Sequence, residues 1–215
     1  DGIRDRSPSR GLGDVYKRQA ALLLVSVTLG GWAFNLTVAF HLFMGAFFYG
    51  VIYTLWLKRR SPLNIVIGGA AGSFAVLAGA AAADPGLSPE SALLAVVLFL
   101  WTPPHFWALA LYRAREYAAV SMPMLPVVHG REYTQRSIFA YTLVLALVSL
   151  LPFAIGMSGA AYLAAALALN SGFITRAWRL WRDYSDARAQ GTFRYSIVYL
   201  SLLFAALLVD HYLPY

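Results

Sequence analysis

Residues Trp101–Val128 read WTPPHFWALALYRAREYAAVSMPMLPVV. The stretch begins as an apolar helix of membrane grade, with Pro103, Pro104 and His105 inside it. It leaves the apolar phase through Tyr112, Arg113, Arg115, Glu116 and Tyr117, then enters a loop held by Pro123 and Pro126. Apolar packing alone asks for none of this detail. Cations and one carboxylate at the mouth of a helix bundle point to a site for an anionic substrate.

The surrounding chain supports a membrane reading. Of 215 residues, 60% are hydrophobic and 13% charged, about half the charge of an average soluble domain. Mean hydropathy is +0.61. The fold class expected is all-α, a polytopic transmembrane helix bundle. The formal charge of +7 reads as the basic bias of cytoplasmic loops, and no nucleic-acid partner is expected. Cysteine is absent, which excludes disulfides, zinc–thiolate sites and thiol nucleophiles.

Seven apolar segments are expected to span the bilayer, each near the ~20 residues needed. They cover about 20–35, 38–57, 63–83, 91–111, 137–155, 160–177 and 195–211. In the segment 160–177, Arg176 has to snorkel. From residue 20 onward all twelve lysines and arginines fall in alternate connections, and the others carry none. This places the residue-20 end at the cytoplasmic face and the C-terminus outside; the expected setting is a bacterial inner membrane. Residues 1–19 are charged, unpatterned and unlike the apolar chain beyond them. They are expected to be a non-native leader or a disordered tail, with the membrane domain running over 20–215.

Several residues stand out within this frame. Trp101, His105, Tyr112 and Glu116 occur at steps of four, seven and four, one face of a helix that persists that far. A histidine inside a membrane segment is a functional candidate, or else an interhelical hydrogen bond. Pro103 and Pro104 free carbonyls that need partners, which suits a kink beside a cavity or a packing kink. Tyr49, Tyr53, Trp56 and Arg60 share another α-helical face, running toward Lys58 and Arg59. Such rings can stabilise a carbocation, or form an interfacial aromatic belt. Arg113 and Arg115 suit phosphate or carboxylate recognition, and Glu116 among them can ligate Mg2+; an ordinary basic loop is the plain alternative. Gly68 and Gly72 form a small-residue motif read as helix packing. Asp183 and Asp186 read as a solvated turn.

The stretches YTLWLKRRSPLN, WTPPHFWALALYRAREY and MPMLPVVHGREYTQRSI closely resemble the haem-farnesylating branch of the UbiA superfamily of intramembrane prenyltransferases. The resemblance runs from about residue 20 to the C-terminus. It implies the last seven helices of a nine-helix fold, with the helix bearing the family's aspartate-rich metal motif not represented, so this chain alone is expected to be inactive. It implies an enzyme that transfers a farnesyl group from farnesyl diphosphate to a vinyl group of haem B, giving haem O. It implies Mg2+ as cofactor, the lipid bilayer as surroundings, and haem A synthase or a terminal oxidase assembly downstream. Carried over by position, the catalytic candidates are His105, Tyr112, Glu116 and Tyr117. The substrate-binding candidates are Tyr53, Lys58, Arg59, Trp101, Arg113 and Arg115. Glu116 is the metal candidate, although the branch usually has Asp-Tyr where this chain has Glu116-Tyr117.

Two other readings stay open. One is another UbiA-type prenyltransferase, against which stands the missing Asp-x-x-x-Asp in the loop after Tyr112. The other is a bundle that binds haem, or transports, without catalysis.

Overall fold

The computed structural model describes residues 8–213, all of whose regular elements are helical. In chain order they are α1 (Pro8–Ala33), α2 (Leu36–Phe47), a π-helix (Phe48–Leu57), α3 (Asn64–Gly68), α4 (Ala70–Ala83) and α5 (Pro89–Tyr112). Next come α6 (Ala114–Ala119), α7 (Leu125–Val128), α8 (Gly130–Val148), α9 (Leu151–Ala154), α10 (Ala160–Arg182) and α11 (Asp186–His211). The seven expected segments thus correspond to seven helical rods. Among the described residues, five rods are long and apolar enough to cross a membrane: 36–57, 64–83, 89–112, 130–154 and 186–211. The rods α1 and α10 fall short of that test; α10 carries Arg176, Arg179 and Arg182 in its last turns.

Helix ends and apolar ends do not coincide. The polar stretches 130–136 and 186–194 are helical, so α8 and α11 begin seven and nine residues before their apolar segments. Hydropathy marks the part of a rod that meets lipid, whereas extending an existing helix fixes little for each bond added. Likewise α1 does not pause at Ala20, and residues 8–19 are its first turns. Residues 1–7, 214 and 215 lie outside the described residues.

The turns are set by local chemistry. Asn35 caps α2, its side chain accepting from the Val38 N–H at 2.9 Å while its amide donates to the Ala81 carbonyl at 2.7 Å. Ser88 caps α5, with Pro89 in the first turn, where its missing N–H costs nothing. Asp210 on α11 accepts from the Gly159 and Tyr162 N–H groups and so caps α10 from a neighbouring helix.

The rods α5, α8, α10 and α11 close into a four-helix ring; α4 packs on α5, α2 on α4 and α1 on α2. Two clusters fill the ring. Val97, Leu145, Tyr162, Phe173, Tyr199 and Leu203 form one. Trp107, Leu111, Ile138, Leu180 and Ala189 form the other, with Met124 and Leu125 from the loop. Asn64 meets Met124, and Arg131 and Leu111 both meet Tyr184. The connections rich in lysine and arginine therefore gather at one end of the bundle.

Candidate functional site

A cleft of about 370 Å³ opens between the π-helix, the α3–α4 corner and α5. Tyr49, Tyr53 and Lys58 line one wall, and Trp101, Thr102 and Phe106 the other. Gly68, Gly69 and Gly72 form its floor. It is largely apolar, with a cation at one end.

The π-helix decides which side chains enter. Its hydrogen bonds reach five residues rather than four, as in the Lys58 N–H donating to the Tyr53 carbonyl at 2.7 Å. The α-helical face of Tyr49, Tyr53, Trp56 and Arg60 is therefore broken after Tyr53. Tyr49 and Tyr53 still adjoin, their rings 5.8 Å apart. Lys58, five residues on, takes the next place and lies 6.0 Å from the Tyr53 ring. Trp56 and Arg60 are left exposed and outside the cleft.

Gly68 is required here by space. A Cβ at this position would come within 2.7 Å of the Tyr53 ring. At Gly69 it would press on Thr102 at 3.1 Å, and at Gly72 it would meet Leu98 at 3.4 Å, an ordinary contact. The packing reading of the glycines thus holds toward α5, while Gly68 seats a cleft-lining ring.

Trp101 lines the cleft and His105 lies behind it. The imidazole is buried between the Trp101 ring at 4.2 Å and the Phe193 ring at 4.6 Å, near-parallel to both. Its Nδ1 is 2.7 Å from Ser196 Oγ. Ser196 donates its own proton to the Phe193 carbonyl at 2.6 Å. Its oxygen must therefore accept from Nδ1–H, which assigns the tautomer and leaves the lone pair on Nε2. Trp101 Nε1 donates to the Ser196 carbonyl at 2.7 Å. One residue of α11 thus anchors both rings of α5. Phe193 and Ser196 escaped the sequence reading, because nothing local marks residues about ninety positions away.

The α5 helix runs unbroken through Pro103 and Pro104, both buried, and ends at Tyr112. Arg113 breaks it, with φ −105° and ψ 16°. Glu116 accordingly belongs to α6 and does not continue the face of Trp101, His105 and Tyr112. At this end Tyr53, Tyr112 and Tyr117 pack on one cluster, and Arg113 lies 5.9 Å from the Tyr112 ring. Burial pushes the Tyr117 phenol above its usual range, with the Arg113 charge pulling the other way. Arg113 pairs loosely with Glu116, at 3.8 Å. Arg59, Arg115 and Glu116 are exposed and do not line the cleft.

The fit to Mg2+ can be judged from the donors. Among the described residues no three His, Asp or Glu side chains converge. Glu116 is a single carboxylate with 70% of its side chain exposed. Mg2+ is held by one or two carboxylates together with substrate phosphates. The described residues therefore do not compose a magnesium site by themselves.

Comparison with known proteins adds three findings. Residues 16–207 match the UbiA prenyltransferase family. Similar curated proteins include the protoheme IX farnesyltransferases of Aromatoleum aromaticum, 53% identical over 91% of this chain and 66% of that protein, and of Ralstonia nicotianae, 50% identical over 94% and 68%. That of Azoarcus sp. is 60% identical over 77% of this chain and 55% of that protein. The chain spans about two thirds of the length of the curated relatives it matches, or less. A solved structure of digeranylgeranylglyceryl phosphate synthase shares the fold, with a TM-score of 0.75 at 19% identity over 97% of this chain and 75% of that one.

Proposed function

The chain belongs to the UbiA prenyltransferase family, and on that premise we propose that it carries the prenyl-binding cleft of an enzyme that transfers a farnesyl group from farnesyl diphosphate to haem B, giving haem O. The observation that carries the reading is the cleft itself: aromatic and glycine-lined along its length, with Lys58 at one end. The farnesyl tail lies along the apolar walls and the diphosphate meets Lys58, with Arg113 and Arg115 nearby at the basic end of the bundle. The relatives' names supply the substrates.

The chemistry builds on these placements. The bond between the farnesyl carbon and the diphosphate oxygen breaks, and the electron pair leaves with the diphosphate. Fixed cations aimed at that growing charge lower the barrier. The allylic cation left behind is flanked by the Tyr53 and Trp101 rings, whose faces attract positive charge. The terminal vinyl carbon of haem B attacks it, and water then adds at the adjacent carbon and loses a proton. His105 is a positioning residue: it backs Trp101 rather than lining the cleft. Mg2+, when bound, would neutralise the departing diphosphate; the described residues do not compose its site, and no step here depends on their doing so.

The protein is a multi-pass membrane protein. Its proposed setting is the bacterial cytoplasmic membrane, with Lys58, Arg131 and Arg188 in the cytoplasm and Asp84 outside. Modification of a single Asp84→Cys only from the cytoplasmic side would reverse that orientation.

The activity is tested in a chimera that joins residues 20–215 to the N-terminal third of the Aromatoleum aromaticum relative. With haem B, farnesyl diphosphate and Mg2+, extracted pigment should contain haem O. Unchanged haem B, from a chimera that accumulates in the membrane and binds both substrates, would reject the assignment.

A further inference from the structure

A second cavity, of about 210 Å³, lies between α10 and α11 at the basic end, lined by Arg176, Arg179, Arg188, Gly191 and Thr192. No carboxylate lines it. We infer that these three arginines form a binding site for the phosphate group of an anionic phospholipid.

Three features make this a built site and not a scatter of surface charge. Arg176 is held in place: its guanidinium lies 3.9 Å from the Tyr195 ring and donates to the Gly172 carbonyl at 3.1 Å. Tyr195 is itself fixed by donating to the Leu169 carbonyl at 3.0 Å. Gly172 makes the arrangement possible, since a Cβ there would fall 2.2 Å from the Tyr195 hydroxyl. A guanidinium on such a platform has already lost the freedom that binding would otherwise remove.

Arg188 occupies the first turn of α11, where the helix dipole disfavours a cation. Its guanidinium is turned back onto Asp183, through the carbonyl and the carboxylate. The Arg179 guanidinium makes no hydrogen bond, ion pair or ring contact with any described residue. One held, one partly paired and one open guanidinium thus face a space without acids. Arginine forks suit phosphate oxygens.

The depth points to lipid as the source of the phosphate. Trp178 and Trp181 lie at the same level of α10 as Arg176 and Arg179, on the face that packs against Phe139 of α8, and Trp178 is exposed. Tryptophans of this kind sit at the headgroup level of a bilayer. Arg176 lies about 9 Å along the helix from Arg182, and its guanidinium turns back onto the Gly172 carbonyl rather than snorkelling toward the basic end, so the cavity reaches below the headgroup level. Basic pockets between membrane helices at the cytoplasmic face bind anionic headgroups. None of this rests on the prenyl-transfer reading.

The test is native mass spectrometry of the full chain released from nanodiscs of mixed phosphatidylglycerol and phosphatidylcholine. Phosphatidylglycerol should be retained in preference to phosphatidylcholine. Arg179→Gln should weaken retention by about 10-fold or more, while Arg136→Gln, which removes the same charge from α8, should leave it unchanged. Arg179→Gln breaks no side-chain hydrogen bond, ion pair or ring contact with a described residue and keeps most of the aliphatic stem, so its effect is not one of folding. Excess inorganic phosphate should fail to displace the lipid. Equal retention of the two lipids, or equal behaviour of the two variants, would overturn the proposal. Displacement by inorganic phosphate would overturn the lipid and leave a site for soluble phosphate.

Discussion

The imidazole of His105 lies 4.2 Å from the indole of Trp101, with only 18° between the ring planes. One ring lines the cleft and the other fixes it, and both are anchored on Ser196. In the chimeric enzyme His105→Ala should lower kcat by about 10-fold, ~1.4 kcal/mol of barrier, with little change in KM or membrane accumulation. Ser196→Ala should do the same more weakly, since stacking against Phe193 remains. A parallel loss of activity and accumulation would show His105 to be packing alone.

Lys58 and Arg59 are neighbours in sequence but not in function. Lys58→Gln should reduce kcat/KM by at least about 10-fold, chiefly through KM for farnesyl diphosphate. Arg59→Gln, outside the cleft, should stay within about 2-fold of wild type, the scale of a screened surface charge. Equal effects would mean that the diphosphate lies outside the cleft.

Gly68→Ala should be far more damaging than Gly72→Ala. The first forces the Tyr53 ring aside, and overpacking of this kind costs about 1–3 kcal/mol. The second makes an ordinary contact with Leu98. Thermal unfolding in detergent should separate the two, and farnesyl diphosphate binding should fall only for Gly68→Ala.

Glu116 departs from the Asp usual in the branch it resembles, and its one ionic contact among the described residues is Arg113 at 3.8 Å. We expect Glu116→Gln to cut chimera activity by about 10-fold and Glu116→Asp to retain most of it, because the carboxylate charge holds Arg113, a cation proposed to meet the diphosphate. A Gln variant as active as wild type across a Mg2+ titration would make Glu116 a solvated loop charge.

Tyr184 ties the α10–α11 turn to the rest of the basic end, its one hydroxyl proton shared between the Asp186 carboxylate at 2.5 Å and, more distantly, the Leu111 carbonyl at 3.3 Å. Burial first, then the Asp186 contact, pushes its phenol up from 10.0 to about 12. The folded state holds this proton more tightly than the unfolded chain. The resulting stability is complete below pH 10.0 and is lost as pH rises toward about 12. Tyr184→Phe removes these hydrogen bonds, at about 1 kcal/mol, and should flatten that part of the alkaline unfolding profile. An unchanged profile would show that Tyr184 does not carry it.

Sequence alone determined the class of fold, the rods and their basic end. Hydropathy and charge act locally and additively, so a run such as 91–111 declares its solvent whatever surrounds it. The candidates Tyr53, Lys58 and Trp101 came from the resemblance, because by pattern alone such rings beside a basic loop read equally as an interfacial aromatic belt. The tertiary structure decided which of them meet. The π-helical register turns Lys58 into the cleft in place of Trp56, and no α-helical periodicity contains that choice. The break at Arg113 separates Glu116 from the face of His105. Ser196 reaches Trp101 and His105 across more than ninety residues, and Gly68 matters only because Tyr53 needs the space. Each is a contact between elements distant in the chain, fixed by close packing rather than by the pattern of any one segment.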